Sequence, residues 1–207
     1  LLDRSDLEAQ INFRLGGQFL LVTFHPVTLE DATAGEQLRS LLAVFNQILN
    51  AGSGVRILFT KANADTQGRT INQMIDAWAG SHPKRVASVT SLGQQRYLSA
   101  MKHAAAVIGN SSSGILEAPS FKVPTVNIGD RQKGRVRADS VIDCEPDEAG
   151  ILTALEKALS PAFRHSLQDM KNPYEKEGTV NRIITVLKDA FPEQLIKKEF
   201  YNLGSEP

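Results

Sequence analysis

The chain has 207 residues, 42% of them apolar, which is enough to bury the core of one large domain. Lysine and arginine total 23, as do aspartate and glutamate, and this balance argues against a nucleic-acid-binding protein. The single cysteine, Cys144, excludes an intrachain disulfide, and the four histidines show no metal-ligand spacing, so we expect no metal site.

Strand-like segments rich in β-branched residues alternate with helical segments along the chain. The predicted strands are 19–25, 55–60, 85–90, 105–109, 124–129 and 140–144. Helices are predicted after capping boxes at Ser5 (ending at Gly16) and Thr33, around 71–78, over 94–104 and 147–159, from about 161, and over 179–191 and 192–201. The alternation predicts an α/β fold, a doubly wound parallel sheet whose ligands lie beyond the carboxyl ends of the strands.

Two kinds of apolar segment are missing from the sequence. The first 25 residues carry charges that a signal peptide would not contain, at Asp3, Arg4, Asp6, Glu8 and Arg14. No apolar run approaches the roughly 18 residues that a membrane-spanning helix needs. We therefore expect a soluble, cytoplasmic protein with no membrane partner.

The segment with the clearest chemical signature is GNSSSG at 109–114, between a predicted buried strand and a helix beginning near Ser112. Free N–H groups of the first helical turn, the helix dipole and the serine hydroxyls all favour a bound phosphate. One serine would suffice to cap a helix, so we favour a phosphate site over simple capping. Glu117 follows on the same side of that helix, where it is either a ribose ligand or a favourable charge near the helix N-terminus.

Other polar residues directly follow predicted strands, namely His25, Asn63, Ser91 and Arg131. Because parallel strands place their carboxyl ends at one edge of the sheet, these residues and Ser111 would outline one crevice. Arg131 opens a run with four cations in seven positions, which is either a partner for diphosphate or a solvated basic loop. A lone histidine is more often structural, but its place at a strand end favours a function for His25.

Three segments together resemble the UDP-N-acetylglucosamine 2-epimerase family: VTFHPVTLE at 22–30, GNSSSGILE at 109–117 and VPTVNIGDRQKGR at 123–135. The Asn-Pro-Tyr at 172–174 and the Lys-Lys-Glu-Phe-Tyr at 197–201 are also similar to that family. The resemblance implies a GT-B arrangement of two Rossmann-like domains, of which this sequence is similar to the second, C-terminal one. It further implies a UDP-binding domain over 1–190, a crossing helix and tail over 191–207, an absent N-terminal domain as a partner, and a possible homodimer.

The resemblance also implies roles for individual residues. His25 matches a histidine near the reaction centre and is the catalytic candidate. No cofactor and no metal are implied. The residues that the resemblance assigns to UDP binding are Asn63, Ser91, Leu92, Ser111, Ser112, Glu117 and Arg131.

The residues after His25 are Pro-Val-Thr, which is similar to the hydrolysing branch of the family. That branch eliminates UDP from UDP-N-acetylglucosamine and hydrates the resulting glycal to N-acetylmannosamine, for sialic-acid-type synthesis. The carboxylates for the proton transfers belong to the first domain, so we expect the chain alone to bind UDP weakly and to turn over nothing. After Asn-Pro-Tyr, Glu175 to Gly178 replace the family's Gly-Asp-Gly, which leaves that segment without an assigned role.

Alternatives to the epimerase interpretation stay open at the level of sequence. The donor half of a GT-B glycosyltransferase also binds UDP at a serine-rich turn, although the His-Pro-Val-Thr segment argues against it. A non-catalytic nucleotide-sensing module is the other alternative. The sugar is equally open, because a diacetylated bacillosamine nucleotide suits the sequence as well as another UDP-N-acetylhexosamine.

Overall fold

The computed structural model describes residues 1–26, 33–62 and 66–189 and divides the chain into two units, Leu1–Pro173 and Tyr174–Pro207. The strands of the first unit are β1 (Phe19–Thr23), β2 (Arg56–Thr60), β3 (Val86–Val89), β4 (Ala106–Gly109), β5 (Thr125–Ile128) and β6 (Val141–Cys144). Its helices are α1 (Arg4–Ile11), α2 (Ala34–Asn50), α3 (Thr66–Ser81), α4 (Gly93–His103), α5 (Ser113–Leu116), α6 (Glu148–Leu159) and α7 (Pro161–Ser166). A 3₁₀ turn, Ala118–Phe121, follows α5.

All the described strand pairs are parallel, and the strand order is β3-β2-β1-β4-β5-β6. This is the strand order of a Rossmann-like doubly wound sheet, so the predicted fold class is confirmed. The order reverses between β1 and β4, because the chain leaves β1 towards one edge of the sheet and returns through β4 towards the other. A ligand crevice is expected at that switch point, at the carboxyl ends of the two strands.

Both faces of the sheet are covered, which explains why its central strands are apolar along their whole length. In β1, Leu20 and Val22 pack on the side of α2, α3 and α6, while Phe19 and Leu21 pack on the side of α1 and α4. The leucines and Phe45 of α2 are buried and Ile48 packs beside them, so the apolar residues of this helix face the core. The faces of the central strands are therefore unavailable to a ligand, which would have to contact residues at and beyond the strand ends.

The start and end of α1 differ from the sequence prediction. The N-cap is Asp3, whose carboxylate accepts a 2.9 Å hydrogen bond from Asp6 N–H, whereas Ser5 lies within the first turn. The helix ends at Asn12, which adopts a left-handed conformation with φ 50°, and so it stops before the glycines at 16–17. Asparagine tolerates that conformation because its short amide bonds locally, which is why the end came earlier than predicted.

The second capping box is also only partly as predicted. Helix α2 begins at Ala34, directly after Thr33, as the sequence indicates. The Thr33 side chain, however, makes no capping hydrogen bond, because its backbone is already in the right-handed helical region with ψ −24°. An N-cap side chain reaches the helix from an extended backbone, so the box does not form here.

The second unit contains α8 (Thr179–Asp189) in its described part. Apolar residues at 180, 183, 184 and 187 follow helical spacing and form one stripe along it. The predicted helix over 192–201 and the predicted tail over 191–207 lie outside the described residues. The predicted domain boundary at residue 190 therefore stays a prediction.

Glu8 provides a test of how α1 is attached to the chain that follows. Burial raises the pKa of Glu8, but the hydrogen bonds from Leu15 N–H, at 2.8 Å, and from Arg14 outweigh it and lower the pKa below its ordinary value. A lowered pKa means that the stabilisation is present at neutral pH and is lost as the pH falls through the pKa of Glu8. We expect Glu8→Gln to lower the free energy of unfolding by about 1 kcal/mol at pH 7, with the difference from wild type vanishing in acid.

Urea unfolding followed through the fluorescence of Trp78 measures this effect, since the indole packs against Phe45 and Phe59 in the core of the first unit. Glu36→Gln is the matched control. Its ion pair with Arg39 spans 3.9 Å on an exposed helix surface and should contribute almost nothing. Equal losses in both variants at pH 7 would contradict the role given to Glu8.

Candidate functional site

The strands β1 and β4 meet at a glycine that no other residue could replace without movement of the backbone. Gly109 ends β4 with φ 128°, a conformation that side chains rarely adopt. A Cβ atom on Gly109 would lie 2.0 Å from the carbonyl oxygen of Thr23, at the end of β1. The chain can therefore turn from β4 into the GNSSSG segment only because this residue has no side chain.

The next residue, Asn110, links three strand ends and is almost fully buried, with 1% of its surface exposed. Its N–H donates to the Thr23 carbonyl over 3.3 Å, and its side chain bonds both the N–H and the carbonyl of His25 at 2.8 Å each. Its own carbonyl accepts from Arg131 Nη1 at 2.9 Å and from Gln132 Nε2 at 2.8 Å. The ends of β1, β4 and β5 are thus held together by one asparagine.

The three serines after Asn110 differ in what their hydroxyls bind. Ser113 Oγ donates to Ser111 Oγ over 3.0 Å and lies 2.6 Å from the phenol oxygen of Tyr97. Ser111 Oγ also accepts a long 3.4 Å hydrogen bond from Ser113 N–H. The Ser112 hydroxyl makes no hydrogen bond to any other residue in the described ranges, and it does not cap α5. The simple capping interpretation of the serines therefore does not account for Ser112.

The helix that follows is shorter than the sequence suggests. Helix α5 contains four residues, Ser113–Leu116, and Pro119 lies in the 3₁₀ turn that follows it. Because a helix of one turn has a weak macrodipole, we expect the dipole to contribute less to anion binding than the sequence suggests. Any anion here would be held mainly by backbone N–H groups and hydroxyls of the turn itself.

Gly114 brings this turn close to β5. A Cβ atom on Gly114 would lie 2.6 Å from Cγ2 of Thr125, and Thr125 Oγ1 donates to the Gly114 carbonyl over 2.8 Å. Each of the two glycines of GNSSSG is therefore required by a different close approach, that of Gly109 to β1 and that of Gly114 to β5. They fix the serine turn, residues 111–113, against β1 on one side and β5 on the other.

Arg131, the first cation of the basic run, donates a hydrogen bond to the carbonyl of Asn110, the residue directly before the serine turn. Partial burial, and secondarily the nearby charge of Arg135, lower the pKa of Arg131. Arg137 is bound elsewhere, in an ion pair with Asp143 at 3.0 Å. In the part of the chain that the structure describes, Arg131, Lys133 and Arg135 form no ion pair with a carboxylate. The guanidinium of Arg131 therefore lies beside the serine turn with no carboxylate of the described residues to neutralise it.

Ser91 and Leu92 line a cavity of about 570 Å³ at the ends of β2 and β3. Ser91 Oγ accepts from Gly93 N–H over 3.1 Å, and the Leu92 carbonyl accepts from Arg96 Nε over 2.7 Å. The Leu92 side chain is buried in the core that the sheet forms with α1 and α4. The cavity therefore presents the backbone of this loop rather than the leucine side chain.

A chain of hydroxyl groups connects the serine turn with this cavity. Tyr97, which lines the cavity, lies 2.6 Å from Ser113 Oγ and 3.4 Å from Thr23 Oγ1. Thr23 Oγ1 in turn lies 2.5 Å from Oγ1 of Thr60, another lining residue. Neither Tyr97 nor the role of Asn110 is predictable from local sequence patterns, because these contacts join residues far apart in the chain.

The remaining predicted residues are less closely tied to the crevice. Glu117 is exposed and is the C-cap residue of α5. The backbone of His25 is fixed by Asn110, and its side chain is half-buried at the end of β1. Asn63 lies outside the described residues, although Ala62, just before it, is held by hydrogen bonds of its backbone to the Asn72 side chain.

A second cavity, of about 590 Å³, lies at the ends of β5 and β6 and was not predicted. It is lined by charges of both signs, including Lys133, Arg137 and Asp143, and by Cys144. Burial, followed by the neighbouring carboxylates, raises the pKa of Cys144 to about 12, so the thiol stays protonated at neutral pH. That thiol is therefore a poor nucleophile.

Two other features are absent from the described ranges. No cluster of three or more histidine, cysteine, aspartate or glutamate residues there could hold a metal ion. None of the helices described is long and apolar enough to cross a membrane.

Comparison with known proteins places this chain in a family. The model of the family described as UDP-N-acetylglucosamine 2-epimerase matches residues 2–188. The chain belongs to the UDP-N-acetylglucosamine 2-epimerase family. The resemblance found in the motifs is therefore confirmed, although the motifs do not by themselves assign the individual site residues.

Two curated proteins match almost the whole chain. A hydrolysing GDP/UDP-N,N'-diacetylbacillosamine 2-epimerase of Campylobacter jejuni is 39% identical over 98% of this chain and 51% of its own length. The polysialic acid biosynthesis protein P7 of Escherichia coli is 33% identical over 98% of this chain and 51% of its own. The chain therefore spans about half the length of the curated relatives that it matches.

A solved structure of the family supports the fold assignment. The UDP-GlcNAc 2-epimerase of Methanocaldococcus jannaschii, in complex with UDP-GlcNAc and UDP, superposes with a TM-score of 0.67 at 20% identity. The match covers 89% of this chain and 49% of that one. The predicted fold, one Rossmann-like half of a GT-B protein, is thus confirmed.

Proposed function

We propose that this chain is the UDP-binding, C-terminal half of a hydrolysing UDP-sugar 2-epimerase. The observation that carries the proposal is the Ser112 hydroxyl, which has no partner in the described ranges and lies in a turn whose neighbour Asn110 binds Arg131. Free donors beside an unneutralised guanidinium are what a diphosphate requires. Family membership supplies the nucleotide-sugar chemistry.

In this proposal the nucleotide lies along the carboxyl edge of the sheet. The diphosphate binds Ser111, Ser112 and Arg131, and Glu117 accepts hydrogen bonds from the ribose hydroxyls. Uracil enters the 570 Å³ cavity, where the backbone at Ser91 and Leu92 contacts it. Asn63 would add a contact from the loop after β2.

The reaction would be elimination of UDP across the C1–C2 bond of the sugar, followed by addition of water to the glycal. His25 is proposed as the catalytic residue of this half, since it lies where β1 meets the serine turn. The proton transfers at C2 need carboxylates that we assign to the other half of the full-length enzyme. This chain therefore supplies the binding of the leaving group, and alone it should not turn substrate over.

Two nucleotide sugars are the candidate substrates, UDP-N-acetylglucosamine and a diacetylated bacillosamine nucleotide. The Campylobacter jejuni relative is named for the latter, and the Methanocaldococcus jannaschii structure holds the former. The donor half of a glycosyltransferase, the other enzyme considered, is disfavoured because the family model covers residues 2–188. Two wider expectations also stay proposals, namely a cytoplasmic location and a homodimer.

Calorimetric titration of the chain with UDP, UMP and ADP tests the proposed function. We expect UDP to bind more tightly than UMP, which lacks one phosphate for the serine turn, and than ADP, whose purine should fit the uracil cavity poorly. Incubation with either candidate UDP-sugar should release no UDP until the other half of the enzyme is supplied. Equal affinity for all three nucleotides would count against the proposal, as would turnover by the chain alone.

A further inference from the structure

We propose that Asn110 is the positioning residue of this site, through an amide clamp in which its side chain holds both backbone groups of His25. The proposal rests on the proposed function, which places His25 in the UDP site. Asn110 would not contact the reacting atoms, and it would act on UDP binding through His25.

The side chain of Asn110 takes the place of a strand neighbour that His25 lacks. Strand β4 ends at Gly109, so it offers no residue to pair with His25. The Asn110 amide presents one acceptor and one donor, as a peptide does, and bonds His25 N–H and His25 O at 2.8 Å each. The pairing of β1 is thereby continued by a side chain, two residues beyond the end of the strand at Thr23.

Burial makes the clamp specific for an amide. Only 1% of Asn110 is exposed, so an unbonded donor or acceptor there could not be satisfied by water. An ionised aspartate could accept from His25 N–H but could not donate to His25 O, and alanine could do neither. The side chain therefore fixes where His25 lies relative to the serine turn.

The backbone of Asn110 ties the same point to the basic run. Its carbonyl accepts from Arg131 at 2.9 Å and from the buried Gln132 at 2.8 Å. A change of side chain leaves these two hydrogen bonds available, because they involve only the carbonyl oxygen. Substitution of Asn110 should therefore act on His25 more than on Arg131.

Asn72 provides a matched control. Its side chain makes the same pair of hydrogen bonds with the backbone of Ala62 at the end of β2, at 2.9 and 3.1 Å. Within the described ranges it bonds neither His25 nor the serine turn. Asn72→Ala therefore removes an equivalent clamp from a different strand end.

A double-mutant cycle on UDP affinity tests the proposal in the full 207-residue chain. We expect Asn110→Ala to weaken UDP binding about tenfold, and to weaken it little further when His25→Ala is already present. The fold-changes in UDP affinity caused by Asn72→Ala and His25→Ala should be independent, so that they multiply in the double variant. Independent effects of Asn110→Ala and His25→Ala would overturn the proposal.

Hydrogen exchange of single backbone amides gives a readout that needs no nucleotide. The His25 amide should exchange at least about tenfold faster in Asn110→Ala than in wild type, while the Val22 amide within β1 should not, and Asn72→Ala should change neither. If Asn110→Ala does not fold, the isosteric Asn110→Asp replaces it in the same cycle. Any repulsion between the new carboxylate and UDP is present both with and without His25→Ala, and therefore cancels. An unchanged His25 amide overturns the clamp, whereas failure of the wild-type chain to bind UDP would count against the proposed function alone.

Discussion

Gly109→Ala is expected to destabilise the first unit by at least about 4 kcal/mol, which is at the extreme of single substitutions. Its new methyl group would overlap the Thr23 carbonyl oxygen at 2.0 Å, and the atom is part of the backbone that pairs β1 with β4. Relief requires the two central strands to separate at the switch point. A φ of 128° adds strain that alanine cannot avoid.

The control variant Gly129→Ala distinguishes the cost of atomic overlap from the cost of backbone strain. Gly129 also has a positive φ, 69°, but an added Cβ would meet no atom within 4 Å. We expect this control to lose about 1 kcal/mol, the usual cost of a left-handed conformation in alanine. Urea unfolding monitored by Trp78 fluorescence compares the two variants. Equal losses would show that the approach of β4 to β1 is not as close as the structure has it.

Ser112→Ala is expected to weaken UDP binding by roughly tenfold to a hundredfold, the effect of losing one hydrogen bond to a charged group. The same substitution should leave the thermal midpoint of the UDP-free chain unchanged. The reason is that the Ser112 hydroxyl bonds no residue in the described part of the chain. A residue whose removal affects only the complex is one whose partner is the ligand.

Ser113→Ala should show the opposite pattern, because the Ser113 hydroxyl is committed to Tyr97 at 2.6 Å and to Ser111 at 3.0 Å. Its loss leaves a half-buried phenol without its shortest hydrogen bond, and we expect about 1 kcal/mol less stability with a smaller change in UDP affinity. Calorimetry and thermal unfolding of both variants make the comparison. The diphosphate assignment fails if Ser113→Ala weakens UDP binding more than Ser112→Ala does.

The two pairs of variants test different levels of the same site. The glycine pair tests whether the strand ends approach as closely as the fold requires, without reference to any ligand. The serine pair tests whether the turn so placed holds a phosphate. Loss of stability in the first with no change of affinity in the second would leave the fold intact and remove the proposed function.

Much of the architecture was predictable because its causes are local. Helix α2 follows from apolar residues such as Leu38 and Phe45 at helical spacing, and the strands follow from short β-branched runs bounded by glycine or polar residues. The identity of the serine turn as the candidate site was also predictable, since three serines between two glycines exceed what a helix cap needs. The ends of elements were less accurate, as Asp3 and Asn12 show for α1.

Contacts between distant residues were decided only by the tertiary structure. Asn110 and His25 are separated by 85 positions and Tyr97 and Ser113 by 16, and nothing in the local pattern of either segment indicates its partner. The position of Tyr97 decides which hydroxyl is free to bind a ligand. Tyr97 contacts Ser113, which leaves the hydroxyl of Ser112. The sequence by itself therefore determined the order of elements and the chemical type of the turn, because periodicity and composition act locally. The tertiary structure decided which polar groups of the turn already have partners. The reason is that a hydrogen bond forms only between groups that the fold brings to within about 3 Å of each other.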